Sequence, residues 1–159
     1  MVWKPDVTVA AVVEREGRFL LVEEYVGQRM VINQPAGHLE ANESLVEATI
    51  RETLEETAWR FEPEALSGIY LWPHPDRDVT FLRVTFTGRV TDHYPDRRLD
   101  HGIRRTLWLT RSEIAQRSAQ LRSPLVLRCI DDYLTGIRYP LDLLTHLVDP
   151  EHLIKTKTG

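Results

Sequence analysis

Short apolar runs of strand length alternate with polar segments bearing glycine and proline along this chain. Residues 7–13 (VTVAAVV) and 19–22 (FLLV) are β-rich runs separated by the polar EREGR, so the pair predicts a hairpin. Residues 31–40 (VINQPAGHLE) carry Pro35 and Gly37 and predict a loop or a short strand. Two further strand runs, 66–72 and 79–88, flank PHPDRD, whose prolines and aspartates predict a turn. Residues 105–109 (RTLWL) predict a last strand. A helical period marks residues 44–57, opened by Ser44 and Glu47 as a capping box, and Thr110 with Glu113 repeats that signature. Ser123-Pro124 opens another helix with an apolar stripe of Val126, Cys129, Ile130, Tyr133 and Leu134, ended by Gly136. Strands and helices in this mixed order predict an α/β (α+β) sandwich with a helix on each face. One domain is expected over residues 1–136, with a C-terminal extension over 137–159 whose last ten residues are expected to be loose.

The helix at 44–57 carries the chemistry. At about 100° per residue and with Glu52 set at zero, Glu56 lies near +40° and Glu55 near −60°. Val46, Ile50, Thr53, Leu54 and Thr57 fall between about 100° and 200° and predict the core stripe. Glu47–Arg51 and Arg51–Glu55 are both spaced i, i+4, and the first has the better order. A solvated face laced with ion pairs is the plain reading of such a helix. Two features oppose it. Leu45 and Ala48 share the arc of the glutamates one or two turns earlier, so that side also has structure against it. The carboxylates also crowd a helix C-terminus, where the helix dipole and their mutual repulsion disfavour anions. A hard divalent cation removes both penalties, and Mg²⁺, with Mn²⁺ as a substitute, takes a few carboxylates beside water and phosphates. Upstream, Pro35-Ala36-Gly37 offers a turn whose carbonyls could add oxygen ligands, with Gly37 permitting close approach.

Composition narrows the setting. The chain has 159 residues, 42% hydrophobic and 28% charged, which suits one globular domain. No apolar run approaches the ~20 residues of a membrane span, and the N-terminus lacks a signal-peptide core. A single cysteine excludes an internal disulfide framework and suits the reducing cytoplasm. The net charge of −4 argues against bulk nucleic-acid or acidic-membrane binding. The six histidines show no zinc spacing, and Cys129, on its apolar stripe, is expected to be a buried small hydrophobe. Monomer and homodimer both stay open.

Read together, Gly37-x5-Glu43-x7-Arg51-Glu52-Thr53-x-Glu55-Glu56-x-Ala58-Trp59 resembles the Nudix box, Gx5Ex7REUxEExGU, where U is bulky and apolar. Six fixed positions, each about 6–7% probable by composition, give a chance match of about 10⁻⁷ per window. Thr53 stands where the family has a bulky apolar residue, and Ala58 where it has glycine. The segments KPDVTVAAVV, NQPAGHLEANESLVEA, ETLEETA and LDHGI further resemble the NudJ phosphatase subfamily over most of residues 1–136. The resemblance implies the Nudix-type α/β/α sandwich with a central mixed sheet and Mg²⁺-dependent hydrolysis of a phosphoanhydride. It also implies activity on nucleoside tri- and diphosphates and on hydroxymethylpyrimidine pyrophosphate, a thiamine precursor.

On this resemblance Glu52, Glu55 and Glu56 are metal ligands, joined by the Ala36 backbone carbonyl. Arg51 and Glu43 are expected to hold loop and helix together and orient the ligands. The general base is open among Glu52, Glu55 and an outside carboxylate, for which Asp100 is the candidate and a simple turn aspartate the alternative. Lys4, Tyr70, Trp72 and Arg83 are candidate substrate contacts: Arg83 interrupts an apolar strand and needs a partner, phosphate or carboxylate, and Trp72 could stack on a base or simply pack. Other readings stay in view: a hydrolase of dinucleoside polyphosphates or RNA 5′ ends, a non-catalytic Nudix-fold binding module, or an acidic docking helix indifferent to Mg²⁺.

Overall fold

The computed structural model describes residues 1–148. The hairpin is β1 (Asp6–Arg15) and β2 (Arg18–Val26), turned at Glu16-Gly17, where both residues have positive φ. Short strands β3 (Arg29–Asn33) and β4 (Ala36–His38) occupy the segment around Pro35. Helix α1 (Leu45–Thr57) follows, then β5 (Trp59–Pro73), β6 (Thr80–His93) and β7 (Ile103–Thr110). Helices α2 (Arg111–Gln116) and α3 (Leu125–Leu134) follow, with short 3-10 turns at Ser118–Gln120 and Leu141–Leu143. The sheet is mixed, ordered β3-β2-β1-β6-β5, with β4 added to β1 and β7 to β2. β1 runs parallel to β6 from Asp6↔Phe81 to Val13↔Gly88 but meets β2 only at Glu14↔Phe19 and Arg15↔Arg18. Past the hairpin end the sheet therefore divides into two leaves, and a cavity opens between them.

Alternation along β1 builds the two apolar layers. Val9, Ala11 and Val13 pack with Ala48 of α1, Phe61 and Phe86, whereas Val12 packs with Phe19, Ile114 and Ile130 on the side of α3. The result is an α/β/α sandwich. No helix among the described residues is long and apolar enough to cross a membrane. Cys129 is fully buried and its thiol meets Thr85 Oγ1 at 3.6 Å. The expected loose end, residues 150–159, lies outside the described residues; before it, Tyr139 exchanges backbone hydrogen bonds with Leu66 of β5.

Three sequence expectations are corrected. Val46, Ile50 and Leu54 are only half-buried, and the buried face of α1 is Ala48, Thr49, Thr53, Glu56 and Thr57. Threonines can occupy that face because Thr49 and Thr57 donate their hydroxyls to the Leu45 and Thr53 carbonyls one turn back. Leu134, at the stripe's edge in the last turn of α3, is 52% exposed. Glu47 does not pair with Arg51; its carboxylate accepts the Ser44 amide at 2.7 Å and is spent on the capping box.

Thr53 itself is fully buried and its hydroxyl has no partner. An unsatisfied buried hydroxyl costs about 1–3 kcal/mol. Thr53→Val keeps the branched shape and removes that hydroxyl, so it should stabilise the fold by about 1 kcal/mol, or about 2–4 °C in melting temperature for a chain of this size. Thermal unfolding checks this; a lower melting temperature would show that the hydroxyl is satisfied after all.

Candidate active site

The C-terminal half of α1 gathers its carboxylates by three separate restraints. Ala58 closes the helix in the left-handed conformation (φ 59°) with its amide on the Leu54 carbonyl, so the change from glycine leaves that helix end intact. The last turn has no basic residue, and Arg51, one turn earlier, is the cation these groups share. Its Nη2 and Nε hold both oxygens of Glu43 at 2.7 and 2.9 Å. Nη1 reaches Glu52 at 2.9 Å and Glu55 at 3.1 Å, and Nη2 also donates to the His38 carbonyl. Glu43 in turn accepts the Glu40 amide at 2.7 Å. One planar guanidinium thus ties the loop before α1, strand β4 and two helix carboxylates together, which a lysine could not do. The Arg51 hydrogen bonds hold the Glu43 carboxyl below its ordinary range.

Glu52 stands at the centre. Its carboxylate, that of Glu55 and that of Asp100 offer oxygens within 4.8 Å of one another. Asp100 reaches this position because its amide donates to the Glu55 carbonyl at 3.0 Å, docking the loop before β7 on the end of α1. Burial raises the Glu52 pKa, opposed by Arg51 and reinforced by Glu55 and Asp100. Glu56 turns the other way: only 7% exposed, it accepts the Ala36 amide at 2.9 Å, and burial pushes it up to about 9. Ala36 therefore meets the site through its N–H. Gly37 is required for space rather than for a turn, since a Cβ there would lie 2.1 Å from the Glu52 carboxyl. Hard oxygen donors clustered at this spacing fit a divalent cation.

A cavity of about 400 Å³ opens beside these groups, lined on one side by Glu52 and Glu56 and elsewhere by Trp72, Phe81, Arg83 and Arg122. Trp72 stacks on Phe81 with ring centroids 5.8 Å apart. Of the other candidate contacts, Lys4 is exposed ahead of β1 and does not line this cavity. Tyr70 faces α3, donating to Asp132 at 2.7 Å, and lines a different cavity. Sequence reasoning missed Glu24, which lines the site with its carboxylate held by Asn33 at 3.3 Å and Arg122 at 2.8 Å. It also missed Thr8 of β1. No local pattern marks these residues, because only strand register brings them here.

Comparison with known proteins agrees with this geometry. The NUDIX domain family matches residues 4–129. The chain is 44% identical over 142 residues to "Phosphatase NudJ" of Escherichia coli (strain K12), covering 89% of this chain and 92% of that protein. A NUDIX hydrolase from Nitrosomonas europaea superposes with a TM-score of 0.89 at 51% identity, covering 91% of this chain and 98% of that one. A second Nitrosomonas europaea NUDIX hydrolase gives a TM-score of 0.70 at 25% identity, over 85% and 73% of the two chains. The box on α1, the sandwich that presents it and a family match over most of the chain converge: this chain belongs to the NUDIX domain family and is a Nudix hydrolase.

Proposed function

We propose that the chain is a Mg²⁺-dependent hydrolase of phosphoanhydride bonds in nucleoside tri- and diphosphates, and that it also takes hydroxymethylpyrimidine pyrophosphate. The observation that carries this reading is the convergence of Glu52, Glu55 and Asp100 beside a cavity that also holds Arg83. Glu52, Glu55 and Glu56 would hold the cation, with Asp100 and the Ala36 carbonyl completing the oxygen set; Mn²⁺ would substitute. A cation bound there supplies charge stabilisation at the phosphate oxygens and a lowered pKa for water. The chain's own residues do the rest. Glu43 and Arg51 fix the carboxylates, and one of Glu52, Glu55 and Asp100 takes the proton of the attacking water. Trp72, with Phe81 behind it, offers a flat wall for a heterocycle. The lone, buried Cys129 suits a reducing compartment, and we place the enzyme in the cytoplasm.

A substrate panel with orthophosphate and pyrophosphate assayed separately tests the assignment. It should include nucleoside tri- and diphosphates, hydroxymethylpyrimidine pyrophosphate, dinucleoside polyphosphates and triphosphorylated RNA. Preference for the first two groups supports the reading; turnover confined to RNA ends or bridged dinucleotides overturns it.

Arg51→Lys keeps the charge and loses the fork that holds Glu43, Glu52 and Glu55 together. The half-saturating Mg²⁺ concentration should rise by about 10–100-fold, the range for groups that orient metal ligands, and saturating Mg²⁺ should recover much of the rate. An activity titration against Mg²⁺ checks this. An unchanged half-saturation with a collapsed maximal rate would instead put Arg51 on the reacting phosphate.

A further inference from the structure

Among the described residues, three buried side-chain atoms lack a hydrogen-bond partner, and two of them are neighbours. Thr8 Oγ1 and Arg83 Nε belong to residues paired in the parallel β1–β6 register. Both residues line the cavity that Glu52 and Glu56 enter, and they are only 5% and 7% exposed. Arg83 is held by one polar contact, Nη1 to Gln34 Oε1 at 3.2 Å, and forms no ion pair among the described residues. Burying a guanidinium without an ion-pair partner is unfavourable, and arginine does not escape by losing its proton. The Glu56 carboxyl attracts it from across the cavity but makes no direct contact. A guanidinium without an ion pair and an unpartnered hydroxyl, side by side in the lining of a cavity, have the chemistry of an anion receptor.

The burial also limits what can bind. Little of either residue is open to the cavity, so the receptor admits the end of a ligand rather than its middle. A terminal phosphoryl group has three non-bridging oxygens and a second ionisation near pH 6, giving a charge close to −2 at neutral pH. A bridging phosphoryl carries one charge and is substituted on two sides.

We propose that Thr8 and Arg83 form a receptor for an unesterified terminal phosphoryl group, by which the site sorts free-ended polyphosphate monoesters from bridged diesters. Gln34 positions the guanidinium, and Thr8 supplies the neighbouring donor. The assignment rests on the hydrolase reading above and adds specificity-determining residues to it.

Arg83→Met and Thr8→Val test it, since each keeps the shape and removes the orphaned group. With Mg²⁺ saturating, kcat and KM are measured for ATP and for diadenosine tetraphosphate. The wild type should prefer ATP; Arg83→Met should raise the KM for ATP by about 10–100-fold, and Thr8→Val by at least threefold, so that both lower the preference. In excess chelator, millimolar inorganic phosphate should raise the melting temperature of the wild type and leave that of Arg83→Met unmoved. If Arg83→Met fails to fold, Thr8→Val carries both measurements, with a reduced phosphate shift expected. Wild-type preference for the bridged substrate, an unchanged ratio in both variants, or equal phosphate shifts in wild type and variants would overturn the receptor. If the wild type hydrolyses neither nucleotide, the nucleotide assignment of the proposed function fails instead, and the phosphate shift alone still decides for or against the receptor.

Discussion

Excess chelator should abolish turnover, and Glu56→Gln should lower it by about 10³-fold while stabilising the metal-free protein above pH 7. The catalytic part follows from the loss of an anionic ligand, about 4 kcal/mol of transition-state stabilisation at this rate ratio. The stability part follows from burial, which pushes the Glu56 pKa up to about 9. In an unfolded chain a glutamate titrates near 4.3. Between these values the native state holds a proton that the unfolded state has released, so stability is lost as pH rises, by up to about 1.4 kcal/mol per pH unit. The glutamine side chain of the variant is neutral at every pH and could still accept the Ala36 amide, so the variant should lack this slope. Cation binding demands the carboxylate and expels that proton, so the half-saturating Mg²⁺ concentration should fall as pH rises from 6 to 9. Melting temperature against pH, with chelator and with Mg²⁺, reads all of this. Full turnover in chelator would sink the metal reading, and a pH-independent melting temperature for metal-free wild type would remove the proton from Glu56.

What was legible in the sequence was whatever is written in local spacing. The hairpin, the Ser44–Glu47 and Thr110–Glu113 capping boxes and the box carboxylates on one helix all depend on residues a few positions apart. The apolar pattern predicts this strand only from Leu66, whereas β5 begins at Trp59, because Arg60, Glu62, Pro63 and Glu64 break the pattern. An edge strand tolerates such residues, and bulges at Trp59/Phe61 and Pro63/Ala65 absorb them. On α1 the hydrophobic period picks out Thr53 and Thr57 correctly, but the buried face also takes in Ala48, Thr49 and Glu56 from the arc of the glutamates, while Val46, Ile50 and Leu54 stay half-buried, because both sides of the helix have structure against them. The site divides along the same line. Glu52, Glu55 and Glu56 share a helix, and Arg83 stands out as a charge in an apolar strand, but Thr8 and Glu24 carry no such mark, and the pairing of β1 with β6 that sets Thr8 beside Arg83 spans some seventy residues without a local signal. Asp100 was named from its short motif, and only the hydrogen bond from its amide to the Glu55 carbonyl shows how it reaches the cluster.

Gly37→Ala should lower turnover by about 10²-fold or more while leaving the fold almost as stable as before. The added methyl would lie 2.1 Å from both Cδ and Oε1 of Glu52 and 2.4 Å from Oε2, far inside contact distance. What must yield is the far end of a flexible side chain, not backbone, so the clash is relieved by turning Glu52 away. The backbone gives no reason for loss of stability, because Gly37 sits in β4 paired with Val9 and its φ is one that alanine adopts. Turning Glu52 away, however, breaks its bond to Arg51 Nη1 and removes the central carboxylate from the group shared with Glu55 and Asp100. A displacement of about 1 Å in a catalytic group is enough for a 10²-fold loss. The half-saturating Mg²⁺ concentration should rise with it, and unlike Arg51→Lys, saturating metal should not restore the rate, because the methyl still occupies the carboxylate's place. Activity titrated against Mg²⁺ beside a thermal melt separates the outcomes. Wild-type kinetics in the alanine variant would show that Glu52 works from a position this glycine does not control; a large fall in melting temperature would show that β4 itself cannot accept a side chain.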